Sequence, residues 1–113
     1  MLTIEALKTY GANTEEGLAR CFNNETFYLR LVNMGLNDSN LDRLKAALAA
    51  RDTVQAFEAA HALKGSLGNL SLTPLYETVS ALTERLRGQT GPVDVDDLGA
   101  VFFERLEKAR ALL

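Results

Sequence analysis

His61 is the only histidine in this 113-residue chain. It stands in Ala60-His61-Ala62-Leu63-Lys64-Gly65-Ser66, within an apolar stretch of helical spacing. Near neutral pH an imidazole is largely uncharged, so a ring nitrogen can offer its lone pair to an electrophile such as phosphorus. At about 100° per residue, Ala56, Ala59, Ala60, Leu63, Leu67 and Leu70 gather on one side of the predicted helix. His61 falls roughly opposite, on the side a bundle leaves to solvent. Lys64, Gly65 and Gly68 share its side. Lys64 can hold phosphoryl oxygens as a point charge. Each glycine costs about 1 kcal/mol relative to alanine inside a helix. Taken singly, either glycine reads as close packing against a neighbour. Paired beside a solvent-facing imidazole, they read as clearance for something large. Val54 and Phe57 also lie near the His61 face. They read as bundle contacts or as an apolar rim for a docking partner.

Other chemistries lack their residues. A zinc or iron site needs several converging ligands, and the chain has one His and one Cys. Ser66 lies close to His61, but no Gly-x-Ser-x-Gly elbow frames a hydrolase triad. No P-loop pattern offers an ATP site. The net charge of −3 gives no basic footprint for nucleic acid. Cys21 falls beside Leu18 and Phe22 and reads as a small packed residue. No apolar run approaches a membrane span, and Met1-Leu2-Thr3-Ile4-Glu5 lacks the character of a signal peptide. The expectation is a cytoplasmic protein.

Stepping outward, the helices that must hold this site can be read from caps and periods. Hydrophobic content is 47%, with two prolines and no tryptophan, which favours helix. A short helix is predicted over 3–10, stopped by Gly11, and another opens at Asn13 with Leu18, Cys21 and Phe22 inward. A third runs from Asn24-Glu25 to about Leu36, with Phe27, Leu31 and Met34 marking its inner face. Tyr28 and Val32 make that helix apolar on a second side, either between neighbours or toward a partner. Ser39 with Asp42 is predicted to cap the next helix, lined by Leu41, Leu44 and Leu48. Asp52 with Gln55 caps the histidine helix, which reaches about Leu70. Thr73-Pro74 restarts the chain, with Leu75, Val79, Leu82 and Leu86 inward. Residues 88–92 form a loop. Asp94 to Asp97 open the last helix, whose inner face carries Leu98, Val101, Phe102, Leu106 and Ala109, with Arg105 snorkelling outward. Short loops imply antiparallel neighbours. The expectation is an all-α, single-domain chain over 1–113: an up-down four-helix bundle with one or two short additional N-terminal helices.

The run His61-Ala62-Leu63-Lys64-Gly65, followed by Asn69-Leu70, resembles the signature of histidine-containing phosphotransfer (HPt) domains. The stretch from Tyr10-Gly11 to Leu36 is similar to the N-terminal helices of bacterial members, and 75–87 to the helix after the histidine. Two departures concern packing. Members often have glycine at the place of Ser71, and Leu-Glu where this chain has Leu82-Thr83. The resemblance implies that His61 is phosphorylated, Lys64 stabilises the phosphoryl group and Gly65 permits docking. The role of Gly68 comes from helical phase alone. The resemblance also implies partners: receiver domains of response regulators or hybrid histidine kinases, which would bring the Mg²⁺ themselves. No cofactor of the chain's own is expected.

The expected function is therefore a phosphorelay intermediate, a monomeric carrier and co-substrate rather than an enzyme. One alternative is a non-transferring bundle that inhibits or scaffolds a kinase or response regulator, which would tolerate loss of His61. Another is a histidine kinase fragment, which would need an ATP-binding domain.

Overall fold

The structure is a computed structural model that describes residues 1–113. It is all helical, with α1 (Ile4–Tyr10), α2 (Thr14–Arg20), α3 (Glu25–Gly35), α4 (Ser39–Ala49), α5 (Thr53–Asn69), α6 (Thr73–Leu86) and α7 (Asp96–Arg110). The last four form the antiparallel bundle, and three helices precede it rather than the one or two expected, because separate caps at Asn13 and Asn24 divide the N-terminal segment. α5 lies between α4 and α6 and is the bundle's central element. Its 17 residues span about 25 Å. Ala56, Ala59, Ala60, Leu63 and Leu67 are buried, as the spacing predicts. The alanines let both neighbours approach closely, so one face of α5 is left for solvent. At one end Arg51 pairs with Asp96 at 3.2 Å, joining the α4–α5 turn to the start of α7. At the other, Arg105 donates to the Pro74 carbonyl at 2.8 Å, and Arg110 to that of Leu36 at 2.9 Å. No helix is long and apolar enough to cross a membrane.

Most caps follow from residue type. Asn13, Asn24 and Asp52 each accept a hydrogen bond from the amide three residues on, filling an otherwise orphaned donor. Two caps differ from expectation. Asp38, not Ser39, closes α4, accepting from the Asn40 amide at 2.8 Å. α6 begins at Thr73 itself, so its N-cap is Leu72 and no side chain caps it. The Thr73 hydroxyl lies 3.5 Å from the Ser71 carbonyl instead.

The inner faces of three segments also need correction. In α3, Tyr28 and Val32 are buried, whereas Phe27 and Met34 stand exposed and Leu31 is only partly covered. The choice is made by distant partners. The Tyr28 hydroxyl donates to the Leu70 carbonyl at 2.8 Å, and its ring lies over Gly17. Phe22 is 92% exposed, although Cys21 beside it is buried. Helix α2 ends at Arg20, and Phe22 and Asn23 take φ of 55° and 58°. That left-handed turn rotates the phenyl ring away from the core. Val101 is 39% exposed, while Phe102, one position on, takes the core site. Arg105 is not simply in water. It reaches across to the Pro74 carbonyl and to Glu77 at 3.6 Å.

The Gly17–Tyr28 contact supports a stability prediction. A Cβ at Gly17 would lie 2.5 Å from Tyr28 Cε1. The ring is buried and tethered, so it cannot step aside. Gly17→Ala is expected to destabilise by about 1–3 kcal/mol despite its better helix propensity, measured by urea unfolding.

Tyr28 also shapes the alkaline limit. Burial raises its pKa from 10.0 to about 12, helped by Cys21 and opposed by Arg20. A raised phenol pKa means that the folded state favours the neutral form. The associated stability is whole below about pH 10 and is lost as pH rises toward 12. Tyr10, also raised by burial to about 12, adds to the same limb. Tyr28→Phe should be less stable at neutral pH by about 1 kcal/mol, having lost its bond to Leu70. Between pH 10 and 12 it should lose stability less steeply than wild type, which unfolding curves across that range would reveal.

Candidate functional site

His61 sits on the middle turns of α5 and is exposed. On the outer surface of this helix Gln55 and Glu58 accept from Arg43 and the Ser66 hydroxyl donates to the Leu63 carbonyl, and no side-chain hydrogen bond involves His61. Its ring instead stacks on Phe57, one turn earlier, with centroids 5.6 Å apart and planes inclined by 20°. The guanidinium of Arg87, the residue just beyond α6, lies 5.2 Å from the centroid of the same phenyl ring. That distance suits a cation–π contact. Phe57 is thus half-buried between an imidazole and a cation, and it orients His61 without blocking it.

Lys64 lies one turn after His61. Its ammonium is 3.8 Å from Glu84 on α6, and its side chain is 32% exposed. Glu84 also accepts two hydrogen bonds from Arg87, at 3.2 and 3.4 Å. Arg87, and more weakly Lys64, hold the Glu84 carboxyl below the usual carboxylate range. Glu84 and Arg87 carry no mark of this role in the sequence. Their signal was available only after α5 and α6 are paired antiparallel, which sets Phe57 beside Arg87 and Gly68 beside Tyr76.

The two glycines part company. A Cβ at Gly65 meets nothing within 4 Å, so that position is open. A Cβ at Gly68 would lie 2.9 Å from Tyr76 Cε1. At Gly68 the absent side chain admits the tyrosine ring of α6, and the clearance reading does not hold there. Val54 is 47% exposed, and Phe57 stacks on the imidazole. Ser66 hydrogen-bonds back to the Leu63 carbonyl at 3.3 Å.

From His61 a polar groove of about 590 Å³ runs over Gly65 and Gly68 to α2. Arg20, Asn69 and Tyr76 are among its walls. Arg20 fixes the far end. It donates to the Gly68 and Asn69 carbonyls at 3.1 and 3.2 Å and pairs with Glu16 at 2.7 Å. The hydroxyl of Ser71 accepts from Arg20 at 2.8 Å and donates to Glu16 at 3.2 Å. Ser71 has φ of 57°, the left-handed region where glycine is at ease. Its two side-chain bonds offset the backbone cost of placing serine there. Thr83, the other departure noted in the sequence, is fully buried and donates to the Val79 carbonyl at 2.7 Å. A glutamate could not occupy that space without stranding its charge.

No group of three or more His, Cys, Asp or Glu side chains is placed to hold a metal ion. The arrangement suits one reaction class: attack by a solvent-facing imidazole on an electrophile carried by a large partner, with a movable cation nearby. A protein-family model described as the Hpt domain matches residues 36–112. No curated protein and no solved structure matches the chain.

Proposed function

We propose, from the premise that this chain belongs to the Hpt domain family, that it is a phosphorelay intermediate with His61 as its phosphorylated residue. The family implies histidine phosphotransfer in phosphorelay signalling, and its members interact with receiver domains of two-component systems. The observation that carries the assignment to His61 is geometric. The one imidazole of the chain is exposed on α5, beside a glycine with open space above it.

In the proposed step a ring nitrogen of His61 attacks the phosphorus of a receiver's aspartyl phosphate. The N–P bond forms and the P–O bond to the aspartyl carboxyl breaks, returning its electron pair to the carboxylate. The imidazole keeps the proton on its other nitrogen. Attack requires the two centres in line and the phosphoryl charge neutralised, which are matters of positioning more than covalent chemistry. Phe57 orients the ring, Gly65 admits the donor, and Lys64 supplies a positive charge. The divalent ion is assigned to the receiver's acidic site. The chain itself then acts as carrier and co-substrate without an ATP site, and Val54 belongs to the rim on which the receiver rests.

The test is transfer from ³²P-labelled receiver domains of the source genome to the purified chain. Acid-labile, base-stable label on the chain is the expected result. A folded helical protein that takes no label from any of them would overturn the carrier role and favour a scaffold or inhibitor of a kinase or response regulator.

A further inference from the structure

We propose that Glu84 is a positioning residue that competes with the phosphoryl group for Lys64, and so sets how the phosphoryl group is shared between this chain and its receiver. The proposal rests on the reading of His61 above. One carboxylate on α6 touches both cations of the site. Lys64 lies 3.8 Å away, while Arg87 donates two hydrogen bonds at 3.2 and 3.4 Å. The two partnerships are unequal. Arg87 is held by two charge-assisted hydrogen bonds, and it also rests on Phe57. Lys64 makes one long contact, and the Glu84 side chain is 58% exposed. Exposed pairs of this kind are weak.

The asymmetry makes Lys64 the cation that can leave. A phosphoryl group on His61 would present close to two negative charges one helical turn from Lys64. The flexible lysine stem allows the ammonium to swing to it. Glu84 is not stranded when this happens, because Arg87 still satisfies it. Arg87 in turn keeps its place over Phe57, so the ring behind His61 is undisturbed. Whatever attraction Glu84 has for Lys64 must be given up on phosphorylation, and it is regained when the phosphoryl group departs. Glu84 thereby favours the unphosphorylated state and eases onward transfer.

Glu84→Gln separates the two partnerships. The amide oxygen still accepts from Arg87, but the charge that attracts Lys64 is gone. The experiment measures the equilibrium division of label between a receiver and this chain for wild type, Glu84→Gln, Lys64→Met and the double variant. Circular dichroism establishes that each is folded. Glu84→Gln is expected to move the equilibrium toward phosphorylated chain by about two- to fivefold, the range of an exposed ion pair. In the Lys64→Met background the same substitution is expected to have no effect. An unchanged equilibrium in Glu84→Gln, or an equal shift with and without Lys64, would overturn the proposal while leaving His61 as the carrier. Absence of label on wild type would overturn both.

Discussion

Replacing His61 with glutamine is expected to abolish phosphoryl labelling while leaving helical content and unfolding midpoint close to wild type. The two halves have separate causes. Structurally, the His61 side chain is exposed, makes no hydrogen bond, and stacks on Phe57. Glutamine is a good helix former, and surface substitutions of this kind fall within about 0.5 kcal/mol. Chemically, the side-chain amide of glutamine is no nucleophile, and the chain has no second histidine to substitute for it. The acid lability of the label carries independent weight. A phosphoramidate hydrolyses in acid and persists in base, whereas a phosphoserine ester behaves oppositely. Label remaining on His61→Gln with ester stability would move the site to a hydroxyl, with Ser66 the first to examine.

Substitution of Gly65 should separate stability from function in the other direction. Beyond the backbone of α5 itself, an added Cβ meets nothing within 4 Å. Gly65→Ala is therefore expected to stabilise α5 by about 1 kcal/mol. For a domain of this size that raises Tm by about 4 °C. Transfer should nevertheless slow, because the methyl group occupies the space over which the donor approaches. Gly65→Gln should block transfer to below a tenth of the wild-type rate. Calorimetry and the transfer assay on the same samples provide the check. A more stable Gly65→Gln protein with normal transfer would remove the clearance argument. Gly68→Ala is a useful contrast, since its new methyl group presses on Tyr76 rather than on a partner.

The site was legible in the sequence where it depended on one helix and obscure where it depended on two. The outward phase of His61 follows from Ala56, Ala59, Ala60, Leu63 and Leu67, all of which are buried. A 17-residue helix keeps its phase well enough for that reading to hold. Helix α3 offered two apolar stripes at once, Phe27-Leu31-Met34 and Tyr28-Val32. Periodicity cannot choose between adjacent stripes. The choice came from a hydrogen bond to Leu70, 42 residues away. Gly68 failed for the same reason, because Tyr76 of α6 fills the space that helical phase left vacant. Glu84 near the end of α6 and Arg87 just beyond it look like ordinary surface charges, paired at i and i+3. Their relevance to His61 appears only when Phe57 and Lys64 are set against them. The turn at Phe22-Asn23 was missed because two consecutive left-handed residues were reached without glycine.

The hydrogen bonds that α2, α3 and the loop before α2 send to the end of α5 tie together segments far apart in the chain. Arg20 holds the carbonyls of Gly68 and Asn69, Tyr28 holds that of Leu70, and the Asn13 amide holds that of Ser71. Four successive carbonyls are thus secured by residues outside the 36–112 segment that the family model matches. Helix ends ordinarily fray first. Here the last turn of α5 cannot fray unless the N-terminal arm lifts as well. The two should open as one cooperative unit, with amide protons in both exchanging at a common, slow rate, and the walls of the groove beside His61 should open only with them.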